Sequence, residues 1–282
     1  MNKYFNFCFK IIFVSLFSVF ICACSSLFRK KINAEDHFEP QVAQLIHAIE
    51  KGDQSKAQNY LDQGFEINIR GDHGLTPLFY FITNKDIDSV ELALQLGADP
   101  NYSAIVSSES GPSWRYPPID AMAGGGSNTI FELLLKYGAN PNTIDTNGNP
   151  ILFATVGHDN WEQFDLFLKY GGDINIKDSG GRRASMYAVN IMKFDFLIKL
   201  IEMGDDVYAL SDYRDTLGFK VAMNLNRGAT VSGFRVPKEV YEIKGMLENK
   251  GIEFPEFPFE MERKSIDLVR QKMAKQAQSL AN

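Results

Sequence analysis

Cysteine is almost missing from this chain, and histidine is scarce. The 282 residues hold three cysteines, Cys8, Cys22 and Cys24, all within the first two dozen positions. No disulfide framework can be built through the body, and no Cys-x-x-Cys pair exists for metal or redox chemistry. The four histidines, His37, His47, His73 and His158, never stand at ligand spacing, so no metal is expected. Basic charge is also in deficit. With 29 Lys and Arg against 35 Asp and Glu, the formal charge is -6, which leaves no basic face for phosphates and excludes a nucleic-acid partner. No Gly-x-Ser-x-Gly elbow is present. Gly124-Gly125-Gly126-Ser127 lacks the Lys-Ser/Thr of a phosphate-binding loop, and its Gly-x-Gly-x-x-Gly reading fails at Thr129. It is expected to be a turn between helices. Neither a cofactor nor an enzyme is expected.

What is present at the start is apolar. Lys3 and Lys10 precede an eleven-residue run, 11–21, broken only by Ser15 and Ser18. That is the length of a secretory h-region and short of the ~20 residues needed to span a bilayer. The run ends in Ile21-Cys22-Ala23-Cys24, which resembles the lipobox of bacterial lipoproteins. The resemblance implies that residues 1–23 are a signal peptide and that Cys24 carries the lipid. Ser25, in place of Asp, points to the outer membrane, facing the periplasm. Arg29, Lys30 and Lys31 argue the other way, because positive charge there favours the cytoplasmic side; an uncleaved anchor is the alternative. Residues 24–39 read as a linker.

The body repeats itself. "ELLLKYGANPNTIDTNGNPILFA" returns 33 residues later as "DLFLKYGGDINIKDSGGRRASMYA". The Gly that closes each apolar run recurs at 64, 97, 138, 171, 204 and 251, and an Asn stands four residues after the first four of them. A second marker, the early residue of the preceding helix, runs Leu45, Leu78, Ile119, Leu152 and Ser185 with the same steps of 33, 41, 33 and 33. Two markers staying in phase through an eight-residue insertion define a repeat. In "GLTPLFYFITNKDIDSVELALQLGADPN", Thr76 caps a helix, Pro77 occupies its first turn, and Gly97 ends the second helix. Asp99 and Asn101 are placed to bond the loop backbone. One such unit cannot bury its apolar face alone, so units must stack.

Gly74-Leu75-Thr76-Pro77-Leu78 and Gly97-Ala98-Asp99-Pro100-Asn101 resemble the ankyrin repeat. So do Pro117-Pro118-Ile119 with Gly138-Ala139-Asn140-Pro141-Asn142, and the stretch 148–152 with Gly171-Gly172-Asp173-Ile174-Asn175. The resemblance covers residues 40–254. It implies an all-α solenoid of five to six helix-turn-helix repeats with finger loops. The first unit lacks Thr-Pro-Leu, Ser185 replaces the usual Leu, and Tyr208 replaces the expected Asn. Leu78, Leu96, Leu133, Leu135, Leu152, Leu166 and Leu168 are the expected core. Residues 255–282 follow as a tail and helix, either a lid on the last repeat or a partner-binding element.

Two insertions break the ladder. The first, 102–116, lengthens a finger and carries Trp114, Arg115 and Tyr116. The second, 224–239, is expected between the two helices of the last unit and carries Arg227, Phe234 and Arg235. Aromatic and Arg side chains on loops are the residue types of interface anchors. With Tyr80, Asp145, Asn147 and Tyr187 they form the expected partner-binding set. The expected activity is that of a monomeric, lipid-anchored envelope protein holding a protein partner. Two alternatives stay open. One is a scaffold or tether. The other is an immunity protein, since the architecture is similar to ankyrin-repeat lipoproteins associated with type VI secretion phospholipase effectors.

Overall fold

The computed structural model describes residues 31–107, 113–212 and 215–254, with Gln271 and Gln278. The expected signal peptide, Cys24 and the tail helix lie outside the described residues. The chain divides into two compact units, Met1–Ser113 and Trp114–Asn282.

The first unit holds helices α1 (Pro40–Glu50), α2 (Gln54–Asp62), α3 (Pro77–Thr83) and α4 (Ile87–Gln95), with 3-10 turns at Ala34–Asp36 and Asp72–Gly74 and the strand β1 (Ala104–Ser107). Strand β2 (Ser113–Tyr116) leads into the second unit. There follow α5 (Pro118–Met122), α6 (Asn128–Lys136), α7 (Ile151–Gly157), α8 (Trp161–Lys169), α9 (Ala184–Asn190), α10 (Phe194–Glu202), α11 (Leu217–Thr230) and α12 (Lys238–Asn249). The fold class is all-α, built of ankyrin-type helix-turn-helix repeats.

Local chemistry sets the period. The second helix of each of the first four repeats opens on a capping side chain, whereas Lys193 and Pro237 before α10 and α12 supply none. Asp53, Asp86, Ser127 and Asn160 accept hydrogen bonds from the backbone N–H of Lys56, Ser89, Ile130 and Gln163. Each of these helices stops two residues before a glycine. Gly64, Gly97, Gly138, Gly171, Gly204 and Gly251 all have φ between 84° and 97°. At the first five a Cβ would meet nothing, so the left-handed backbone alone demands glycine. Thr76 Oγ1 caps α3 by accepting from Phe79 N–H at 3.1 Å, as expected. The Gly124–Gly126 stretch is the expected helix–helix turn. It is held by buried Gln163, whose Oε1 accepts from Gly124 N–H at 2.6 Å and whose Nε2 donates to Met122 O at 2.8 Å.

Leu78, Leu133, Leu135, Leu152 and Leu166 are buried, whereas Leu96 and Leu168 are half-buried. In the second unit the core runs from Leu152 and Phe153 through Phe164, Phe167, Phe196 and Leu197 to Val221, Ile243 and Leu247. Ser185 is buried at the position where other repeats carry an aliphatic residue.

Two expectations need correction. Residues 34–38 are not linker: Ala34 and Phe38 are buried, and the Phe38 ring meets Tyr80 edge-on at 6.1 Å. The second insertion is not a loop throughout, because α11 continues to Thr230 and has 14 residues where α7 and α9 have 7. Asn224 Nδ2 donates to Lys220 O and Thr230 Oγ1 to Asn226 O, so these polar side chains bond back along the helix instead of breaking it. The returning loop packs on Gly228, where a Cβ would lie 2.4 Å from Val236 Cγ2.

Candidate protein-binding surface

The loops between repeats are tied by their own side chains. Oδ1 of Asp99, Asn140, Asp173 and Asp206 accepts from the N–H two residues on, at 2.8, 2.9, 2.8 and 3.1 Å. Consecutive repeats are then stapled. Asn68 Oδ1 accepts from Asp99 N–H, and its Nδ2 donates to Gly97 O at 3.0 Å. Asn142 repeats the first of these contacts with Asp173. The pattern changes at Asn175, which accepts from Arg183. Tyr208 takes the place of the next Asn, and its hydroxyl donates to Lys250 O.

Finger tips use a second device. Asp145 Oδ1 accepts from the N–H groups of Asn147 and Asn149 at 2.8 and 2.7 Å, and Asp178 does the same for Gly180 and Arg182. Ser179 N–H donates to Gly148 O and Asp212 N–H to Gly180 O, so neighbouring tips hold each other. Asp145 is thus half-buried and organises its loop, while Asn147 is exposed at the tip.

The other expected residues divide. Trp114 is 42% exposed and Arg115 is exposed, both on strand β2; Tyr116 beside them is half-buried. Tyr187 on α9 is half-buried, stacks on Phe153 at 4.7 Å, and has its phenol pushed up by burial. Arg227 lies over the Phe234 ring at 5.3 Å, which brings two predicted residues together, and Arg235 is exposed. Tyr80 is a correction. It is 1% exposed in the first unit, its hydroxyl donates to Glu50 Oε1 at 3.0 Å, and it is a core residue with no free face.

Sequence reasoning missed Asp120 and Ile144. Asp120, on α5, is half-buried and its carboxyl is pushed up to about 6, by burial first and then by the charge of Asp145. The signal was available in the repeat register, where the other units carry Phe79, Phe153, Met186 and Phe219 at that position. Ile144 is 42% exposed beside Asp145. Among the described residues no group of three or more His, Cys, Asp or Glu side chains could hold a metal ion. Among them, too, no helix is long and apolar enough to cross a membrane.

No protein-family model matches the chain. Among curated proteins it is similar to the Putative ankyrin repeat protein L371 of Acanthamoeba polyphaga mimivirus, with 32% identity over 140 residues. The chain has ankyrin-repeat character. The match takes in half of this chain and 17% of that relative, so the chain spans less than a fifth of the protein it resembles.

Proposed function

We propose that the protein is a non-enzymatic binding module that holds a protein partner on its finger and inner-helix surface. The observation that carries this is the exposed Trp114–Arg115 pair, fixed on a strand. Large side chains held in place on a rigid element lose little entropy on binding. The neighbouring fingers consume their own polar groups internally, as at Asp145, which leaves Asn147 and Ile144 facing outward. Capture of the full chain from detergent-solubilised cell envelope tests the reading. One stoichiometric partner, lost with Trp114→Ala, supports it; a broad set unaffected by the substitution favours a scaffold instead.

Envelope anchoring through lipidated Cys24, with the body facing the periplasm, belongs to the same proposal and rests on the sequence of residues 1–25 alone, the short apolar run 11–21 ending at Cys24 above all. Mass spectrometry of the mature N-terminus tests it. Diacylglyceryl on Cys24 supports it and an intact Met1 overturns it. The narrower reading, an immunity protein against a secreted antibacterial toxin, is motivated by a binding module with an expected export signal. Equal killing by a periplasmic toxin encoded beside it, with and without this protein, overturns that reading and leaves the adaptor standing.

A further inference from the structure

The segment entering the first repeat is fastened by a cluster that the binding function does not use. His47, on α1, places both ring nitrogens against carboxylates: Nε2 is 2.5 Å from Glu35 Oε1 and Nδ1 is 2.9 Å from Glu50 Oε2. Glu35 belongs to the 3-10 turn Ala34–Asp36 and Glu50 to α1 itself. Two further groups meet Glu50. Lys31 Nζ lies 3.4 Å from Oε1, and the Tyr80 hydroxyl of α3 donates to the same atom at 3.0 Å. A separate backbone clasp joins Ile32 to Asn84: Ile32 N–H donates to Asn84 Oδ1 at 3.0 Å, and Asn84 Nδ2 donates back to Ile32 O at 3.2 Å.

A neutral imidazole has one N–H and one lone pair, so it can donate to only one of two carboxylates. Whichever tautomer it adopts, the other carboxylate faces a lone pair. Only the imidazolium satisfies both contacts. We propose that His47 is a proton-operated latch: charged, it clamps residues 31–36 onto the first repeat, and neutral, it lets the Glu35 arm go. Glu35 is the arm released because Glu50 keeps Lys31 and Tyr80, while exposed Glu35 gives up its ion-pair partner.

Charge linkage agrees in sign. The two carboxylates hold the His47 imidazolium above histidine's ordinary 6.5, the hydrogen bond to Glu35 contributing most. His47 in turn draws the Glu35 carboxyl down. The acidic and basic groups of α2 and α4 do not enter this balance, which Glu35 and Glu50 dominate. A group whose folded value is raised contributes fully below its ordinary value and loses the contribution as pH climbs through the raised one. The latch is therefore closed between the depressed Glu35 titration and the raised His47 titration, and it opens on the alkaline side.

The test is hydrogen exchange on the full chain in detergent micelles, read at Ile32, His37 and Phe38 and corrected for intrinsic rates, beside an NMR titration of His47. The expected result is a His47 midpoint above 6.5 and a roughly tenfold loss of protection at these amides as it deprotonates, the order of one charge-assisted hydrogen bond. Glu35→Gln, an exposed change that leaves the core untouched, should lower the midpoint and remove the pH dependence of protection. Protection that stays flat with pH in the unaltered chain, or a midpoint unmoved by Glu35→Gln, overturns the proposal.

Discussion

Asn142 Oδ1 accepts a hydrogen bond from the backbone N–H of Asp173, 2.8 Å away and 31 residues further along the chain. It turns a loop side chain into a staple between consecutive repeats. Asn142→Ala should cost about 1 kcal/mol in urea denaturation, the net worth of one such bond. Asn175→Ala removes a contact to Arg183 instead of a repeat-to-repeat staple. An equal loss of staple energy at both positions would contradict this account.

Gly138 sits at φ 97° with open space where a Cβ would go. Gly138→Ala therefore tests backbone conformation without a clash. We expect a loss of about 1–2 kcal/mol with unchanged helix content by circular dichroism. A neutral substitution would show that the helix ends there without the left-handed turn.

Asp120 titrates at about 6 against an ordinary 3.8. Because its folded value is raised, the native state binds the proton more tightly, and stability falls as pH rises from 3.8 to about 6. Asp120→Asn should thus stabilise by roughly 1–3 kcal/mol at pH 7 and have little effect at pH 4. Thermal melts of both proteins at the two pH values decide it.

Arg183 and Asp205 replace the Thr and Ala that a regular repeat carries at Thr76 and Ala98. The Asp205 side chain is fully buried, and Arg183 Nη1 lies 3.7 Å from its Oδ1. Burial pushes the Asp205 carboxyl up, against the pull of Ser185 and Arg183. Each single change, Arg183→Thr or Asp205→Ala, strands a partner. The double change should cost less than the sum by about 1–3 kcal/mol in a double-mutant cycle. Strict additivity would mean that the two charges do not depend on each other.

Trp114→Ala should leave the melting temperature unchanged and weaken the partner by about 2 kcal/mol or more if Trp114 is an anchor. Isothermal titration with the captured partner measures it. Undiminished affinity would move recognition to the Arg227–Phe234 pair at the end of α11.

The repeats were legible because their punctuation is local. A glycine at positive φ, a capping Asp or Thr and a Pro in a first turn each act within a few residues, so spacing alone located all six closing glycines. What stayed hidden depends on distant partners. Tyr80 reads as a surface aromatic until Phe38, from a segment that looks like linker, covers it. The length of α11 was hidden because Asn and Gly normally argue against helix; only the return of Val236 onto Gly228 explains that glycine. Tyr208 looked like a lost Asn, yet its longer arm reaches the Lys250 carbonyl and serves a similar end. At the candidate surface, residue type pointed to Trp114 and Arg115, while Asp120 required the repeat register to be read position by position.

Each closing glycine ends its own repeat without needing room from any neighbour, and that independence governs how such a chain can change in length. Among the described residues, the second helices begin 33 residues apart at 54 and 87 and again at 128, 161 and 194. The eight extra residues at the first finger leave the 33-residue spacing intact on either side, as the single 41-residue step shows. An insertion of one or two residues inside a helix would instead turn everything after it by about 100° or 200°, taking the buried stripe and the closing glycine out of step together. Heritable length variation in this protein should therefore be quantised: free at the fingers, and elsewhere confined to whole repeats or to whole helical turns, as in the doubled length of α11.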